Sequence, residues 1–92
     1  MIYALICHDK PGAIETRKAN RDAHLAYVEE TGVVVLGGPF LDEDGTMCGS
    51  LLLLEVGSLD EAKTWAAGDP YAKADLFEHT TLKEWKKVMG GI

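Results

Sequence analysis

Short apolar runs, broken by glycine and proline, alternate along this chain with two stretches of helical period. Residues 2 to 8 open with Ile2-Tyr3-Ala4-Leu5-Ile6-Cys7, a run too short for a helix and rich enough in aliphatics for a strand, and Pro11-Gly12 then breaks it. From about 14 to 31, Ile14, Arg21, Leu25 and Val28 recur at helical spacing, and Gly32 stands where a left-handed residue ends a helix. Val33-Val34-Val35-Leu36 is β-branched and continuous, which predicts a strand covered on both faces, ended or bent by Gly37-Gly38-Pro39. Asp42-Glu43-Asp44-Gly45 reads as a turn, and the run from Cys48 to Val56 as a strand that pairs back as a hairpin. Ser58-Leu59-Asp60-Glu61 is a capping box, in which the serine accepts from a first-turn amide and the glutamate reaches back to the serine amide. In the helix it opens, Leu59, Ala62 and Ala66 line one stripe with Trp65 beside them, and Gly68 and Pro70 close it. After a short turn, residues 76 to 88 read as the last strand.

The order β-α-β-β-α-β is the ferredoxin-like split pattern, an α+β fold with both helices on one face of an antiparallel sheet. Strands that are apolar on both faces then require a second layer, and a second copy of the same sheet supplies it. A face-to-face homodimer is the expectation.

Ninety-two residues make a single domain, 1–92, small enough that a partner subunit would help it bury surface. With 15 acidic against 9 basic side chains the net charge is -6, and no basic block is present, which argues against a nucleic-acid or anionic-membrane surface. The apolar opening has no basic leader and stops far short of a spanning segment, so a cytoplasmic protein is expected. Cys7 and Cys48 read as free thiols in strands rather than as a disulfide. A zinc site would need His8 or His79 to join them, and no metal is expected. No phosphate loop, dinucleotide fingerprint or serine elbow is present, and no cofactor is expected.

The chemistry-bearing residues are Arg21-Asp22-Ala23-His24 in the first helix and Asp69-Pro70-Tyr71 just past the second. A histidine moves protons near neutral pH, and a carboxylate that orients it sets its tautomer. By helical phase Arg21 falls near the centre of the face carrying Ile14, Leu25 and Val28, with His24 on its flank, so a polar pair is aimed at the core. A buried guanidinium needs a carboxylate, carbonyls or a ligand anion. Asp69 lies at the C-terminal end of a helix, where a carboxylate opposes the dipole and has no capping role, although Asp-Pro is also common turn chemistry. Tyr71 offers a phenol to the same cleft. Ser50 and Gly37-Gly38-Pro39 offer a hydroxyl and close backbone approach, which hairpin geometry explains equally well. His79 sits beside Glu78 on a strand, where only one of the two can face a given pocket.

The opening strand, Arg21-x-x-His24-Leu25, Gly37-Gly38-Pro39, Gly49-Ser50, Ala62-x-x-Trp65, Asp69-Pro70-Tyr71 and Phe77-Glu78-His79 together resemble the YCII-related family across nearly the whole chain. The resemblance implies a dimeric α+β barrel, similar to muconolactone isomerase and the antibiotic-biosynthesis monooxygenases, with an active site around a His-Asp pair that maps onto His24 and Asp69. Members of that family often carry a glycine where this chain has Asp75, and a proline where it has Glu84. The chemistry associated with the family is dehydrochlorination of a chlorinated hydroxyhydroquinone. The reading that follows is a cofactor-independent lyase or isomerase acting on a small cyclic oxygenated compound, a chlorinated aromatic among the options. In it His24 moves a proton, Asp69 holds the imidazole, and Arg21, Tyr71 and Ser50 contact the substrate. The alternatives are a non-catalytic small-molecule-binding or accessory dimer, and a purely structural tie between helices.

Overall fold

The computed structural model describes residues 1–91. Its elements are β1 (Ile2–Asp9), α1 (Ile14–Thr31), β2 (Val34–Leu41), β3 (Met47–Glu55), α2 (Leu59–Gly68), the one-turn α3 (Pro70–Lys73) and β4 (Phe77–Trp85). The four strands form one antiparallel sheet in the order β2-β3-β1-β4, the ferredoxin-like arrangement. No helix among the described residues is long and apolar enough to cross a membrane.

Strand alternation sorts the side chains onto two faces. On the helix side, Tyr3, Leu5 and Cys7 of β1 and Leu52 and Leu54 of β3 pack with Ala62 and Trp65 of α2 into the core. On the other side, Ile2, Ala4 and Ile6 line an apolar groove with Leu36, Leu51, Leu53, Trp85 and the segment after it, Lys87, Met89 and Gly90, and no helix among the described residues lines it.

Local chemistry explains the helix ends. Gly32 ends α1 with φ 66 and its amide returns to Val28 O, a left-handed residue that costs glycine nothing. Ser58 Oγ accepts from Glu61 N at 3.1 Å, as the capping box predicts. The glutamate reaches one residue further than expected, accepting from Gly57 N at 2.8 Å. Helices α1 and α2 meet where Tyr27 Oη donates to Trp65 O and Trp65 Nε1 donates to Thr31 Oγ1, both at 2.8 Å. They come this close because Gly68 has no side chain: a Cβ there would lie 2.5 Å from Tyr27 Oη.

Four features differ from the sequence expectation. β2 does not end at Gly37-Gly38-Pro39 but runs on to Leu41, with Pro39 opposite Ser50. As an edge strand it has only one neighbour, so a proline without an N–H can be accommodated. Nor is it covered on both faces: Val35 and Leu36 are about half exposed. The segment after α2 is a helical turn, α3, rather than a plain turn. β4 stops at Trp85. Asp75, where the resembling family often has glycine, adopts φ 58, a left-handed backbone that favours glycine or a short polar residue. Its carboxylate pairs with Lys10 Nζ at 2.6 Å on the surface.

Candidate active site

The site lies between the helix face of the sheet and α1, in a cavity of about 360 Å³ open at one side. Its lining includes Arg17, Arg21 and His24 of α1, the β2 segment Val34 to Pro39, Ser50 and Leu52 of β3, and Tyr71 of α3. The size is at the small end of ligand pockets.

His24 is 7 % exposed and Asp69 1 %. His24 Nδ1 lies 2.8 Å from Asp69 Oδ1, and Nε2 of the same ring has no hydrogen-bond partner among the described residues. Asp69 Oδ1 also accepts from Tyr71 N at 3.0 Å, which makes Asp69 the N-cap of α3. Here the sequence expectation fails: the carboxylate does have a capping role, because the chain turns straight into a second helix whose N-terminus favours negative charge. Asp69 Oδ2 is buried without any hydrogen-bond partner among the described residues. The Tyr71 ring stacks on the His24 imidazole, with centroids 4.0 Å apart and planes 11° from parallel, which fixes the ring plane as well as the hydrogen bond.

The second polar group is one the sequence expectation missed. Arg17, not Arg21, is the buried guanidinium. Its Nε donates to Asp9 Oδ2 at 2.7 Å and its Nη2 to Asp9 Oδ1 at 2.8 Å, a two-point grip, and Nη2 also donates to Ser50 Oγ at 3.0 Å. Arg17 Cζ sits 4.6 Å from the centre of the Tyr71 ring, so the tyrosine touches both His24 and Arg17. The β1–β4 register shifts between His8 and Asp9, and such an irregularity re-aims a side chain beside a site. The buried stripe of α1 passes through Arg17 and His24, seven residues and about two turns apart. Arg21 is exposed at the cavity rim, and Leu25 is 46 % exposed, so the stripe is rotated from the Ile14–Arg21–Leu25 line. The signals available were the place of Arg17 three residues after Ile14 and seven before His24, and an acidic residue at the end of β1.

Burial sets the proton affinities. Burial alone would lower the Arg17 pKa, but hydrogen bonds and charge from Asp9 outweigh it and raise it, so the guanidinium stays charged. Burial pushes the Tyr71 phenol up, against the pull of Arg17 and Arg21, and keeps it neutral at physiological pH. Burial, assisted by the charge of Asp69, pushes the Cys7 thiol up to about 12, which makes it a poor nucleophile. Ser50 is buried at the cavity with its oxygen accepting from Arg17, leaving its own hydrogen free to donate. His79 does not reach the cavity. It pairs with His8 across β1 and β4, and His8 stacks on both His79 and Phe40. Among the described residues no cluster of three or more His, Cys, Asp or Glu side chains is arranged to hold a metal ion.

Residues 1–86 match the model of the YCII-related domain. The chain belongs to the YCII-related family. It is 34% identical over 97 residues to Protein YciI of Escherichia coli O6:H1, covering 96% of this chain and 99% of that protein. It is 32% identical over 97 residues to an uncharacterized protein of Haemophilus influenzae, with the same coverage. Among solved structures, this YCII-related chain is similar to 5-chloro-2-hydroxyhydroquinone dehydrochlorinase (TftG) of Burkholderia phenoliruptrix, in complex with 2,5-dihydroxybenzoquinone. The TM-score is 0.86 with 37% identity, over 94% of each chain. An antibiotic biosynthesis monooxygenase structure shares the fold alone, with a TM-score of 0.60 at 11% identity.

Proposed function

We propose that this protein is a cofactor-independent lyase or isomerase acting on a small, cyclic, oxygenated compound, with His24 as its proton-transfer group. The observation that carries the reading is the His24 ring itself: one nitrogen is bound to a buried carboxylate while the other is free in a ligand-sized cavity. Asp69 selects the tautomer that leaves Nε2 ready to take a proton, and balances the imidazolium that results. When a ring hydroxyl or an activated ring C–H gives up that proton, negative charge builds on a ring oxygen. Arg17 and Ser50 are donors held in place for it: Asp9 takes two N–H groups of Arg17 and Ser50 a third, and Ser50 keeps its own hydrogen to donate. Asp9 keeps the guanidinium in place before substrate arrives. Tyr71 forms the wall on which His24 stacks and contacts the substrate edge.

The likeness to the dehydrochlorinase supports the same chemistry here. In net terms such a reaction removes HCl: one ring-hydroxyl proton moves to the chlorine-bearing carbon to give the keto tautomer, a second hydroxyl proton goes to His24, and chloride leaves with the carbon–chlorine bonding pair to give the hydroxyquinone. The test is chloride release from 5-chloro-2-hydroxyhydroquinone, followed by a screen of related hydroxyquinones and lactones, in wild type and His24→Gln. We expect turnover that falls at least ~100-fold in the variant. Ligand-induced stabilisation without product, or turnover unchanged in His24→Gln, would instead support the binding or accessory reading. The working unit is a homodimer, supported by the exposed apolar face formed by Ile2, Ile6, Leu36, Leu51 and Trp85.

A further inference from the structure

We infer that the ligand enters this cavity as an anion and that Arg21 is the residue that selects it, meeting the negative charge at the rim. The inference rests on the reading above and adds to it the charge state of the substrate. The chain carries 15 acidic residues and a net charge of -6, yet among the described residues no acidic side chain lines the cavity, whose three ionisable basic groups are Arg17, Arg21 and His24. Two of these have counter-charges behind them, Asp9 on Arg17 and Asp69 on His24. Arg21 has none: no carboxylate lies within ion-pair distance of it among the described residues.

The helix offers it no relief either. Its neighbours three and four places away are Arg17, Lys18, His24 and Leu25, so basic groups crowd one another on this face of α1, an arrangement that costs helix stability rather than adding to it. In an acidic chain such a crowding has a physical use if it focuses positive potential at the mouth of a cavity. The charge of Arg21 is also felt inside the site, since it is among the groups that pull the Tyr71 phenol down. A ligand oxygen at Arg17 and Ser50 with a second, ionised oxygen toward Arg21 would span the cavity, while the ring between them lies against Leu25, Val28 and Val34. The class named by this chemistry is a single ring bearing at least two oxygens, one of them a carboxylate or an acidic hydroxyl ionised at neutral pH.

The probe is 2,5-dihydroxybenzoquinone, whose hydroxyls are conjugated to carbonyls and therefore ionise well below neutral pH, compared with the uncharged 2,5-dimethoxybenzoquinone. Affinity is measured by calorimetry for wild type, Arg21→Gln and Arg21→Lys, with a melting curve for each variant to verify that the fold is intact. We expect the wild type to prefer the anion, the glutamine variant to lose about tenfold or more in affinity for it, and the lysine variant to recover part of the loss. The weak binding of the dimethoxy ring should not change in either variant. Equal binding of the anion by wild type and Arg21→Gln overturns the assignment of Arg21 while leaving the functional reading intact. No binding of the anion by the wild type overturns both.

Discussion

The two faces of the sheet are built from the same strands and have taken opposite roles. The helix face holds the core, and at one end of it two polar pairs, the ion pair Arg17–Asp9 and the hydrogen-bonded His24–Asp69, are buried within reach of a single tyrosine. Among the described residues the opposite face has no buried ion pair. Its centre is an apolar patch of Ile2, Ala4, Ile6, Leu36, Leu51, Leu53 and Trp85, bordered by Glu55 opposite Ile2, Lys83 opposite Ala4, and His8 and His79. A buried charge pair is seldom worth its desolvation as a source of stability. Two buried polar pairs share one end of one face, with a cavity beside them, and this is the ground for proposing chemistry there; the apolar patch on the other face is the ground for proposing assembly.

The largest effect should come from separating the first pair. Arg17→Met leaves Asp9 buried without a counter-charge and should cost about 3–5 kcal/mol in urea unfolding, whereas Asp9→Leu with Arg17→Met should recover most of that loss. The double variant would then be stable and unable to hold a ligand anion, separating the structural role of the pair from its use. If the single variant proved as stable as wild type, the helix face would not be built around its charges.

The opposite face is tested by Leu51→Glu, which puts an unpaired charge where a second copy should pack. Sedimentation should find the wild type dimeric at micromolar concentration, and the variant should need roughly 100-fold more protein to associate. A wild type that sediments as a stable 10 kDa monomer would remove the homodimer and with it this half of the comparison.

The smallest effect is one of pH. The Cys7 thiol ordinarily titrates at 9.0 and is pushed up to about 12 by burial on the helix face. A raised pKa in the folded state means that the folded chain holds its proton more tightly, so nothing is lost below pH 9, and stability falls as the pH rises from 9 toward 12. The contribution of this group is at most about 1.4 kcal/mol per pH unit. Denaturation midpoints at pH 8, 9 and 10 should decline more steeply in wild type than in Cys7→Val. Equal slopes would mean that the thiol is not enclosed.

Element order was legible in the sequence because each boundary had a local cause: Gly32 after α1, Ser58 before α2, and apolar runs of strand length. The extent of β2 was not, since whether Pro39 ends a strand or lies on a sheet edge depends on strand order, which is a property of the whole fold. In the site, His24 and Asp69 stood out by residue type and by resemblance, and they are in contact. Arg17 did not stand out. Its place three residues after Ile14 and seven before His24 puts it on an inward face, but an arginine there is expected in solvent by residue type, and only the tertiary position of Asp9 supplies the counter-charge that lets it be buried. The capping role of Asp69 was hidden for a related reason: a four-residue helix leaves too little periodicity to be seen.

Gly68 carries a consequence for how this protein could change over generations. It is not among the residues that line the cavity, yet its bare backbone sets how near α2 lies to α1, and the next residue is Asp69. Any side chain there must push Tyr27 aside, and the displacement would be passed one peptide along to the carboxylate that holds the imidazole. Variation at this position would therefore be read first in the His24–Asp69 distance, in a protein that still folds, making Gly68 a dial on the site rather than a part of it.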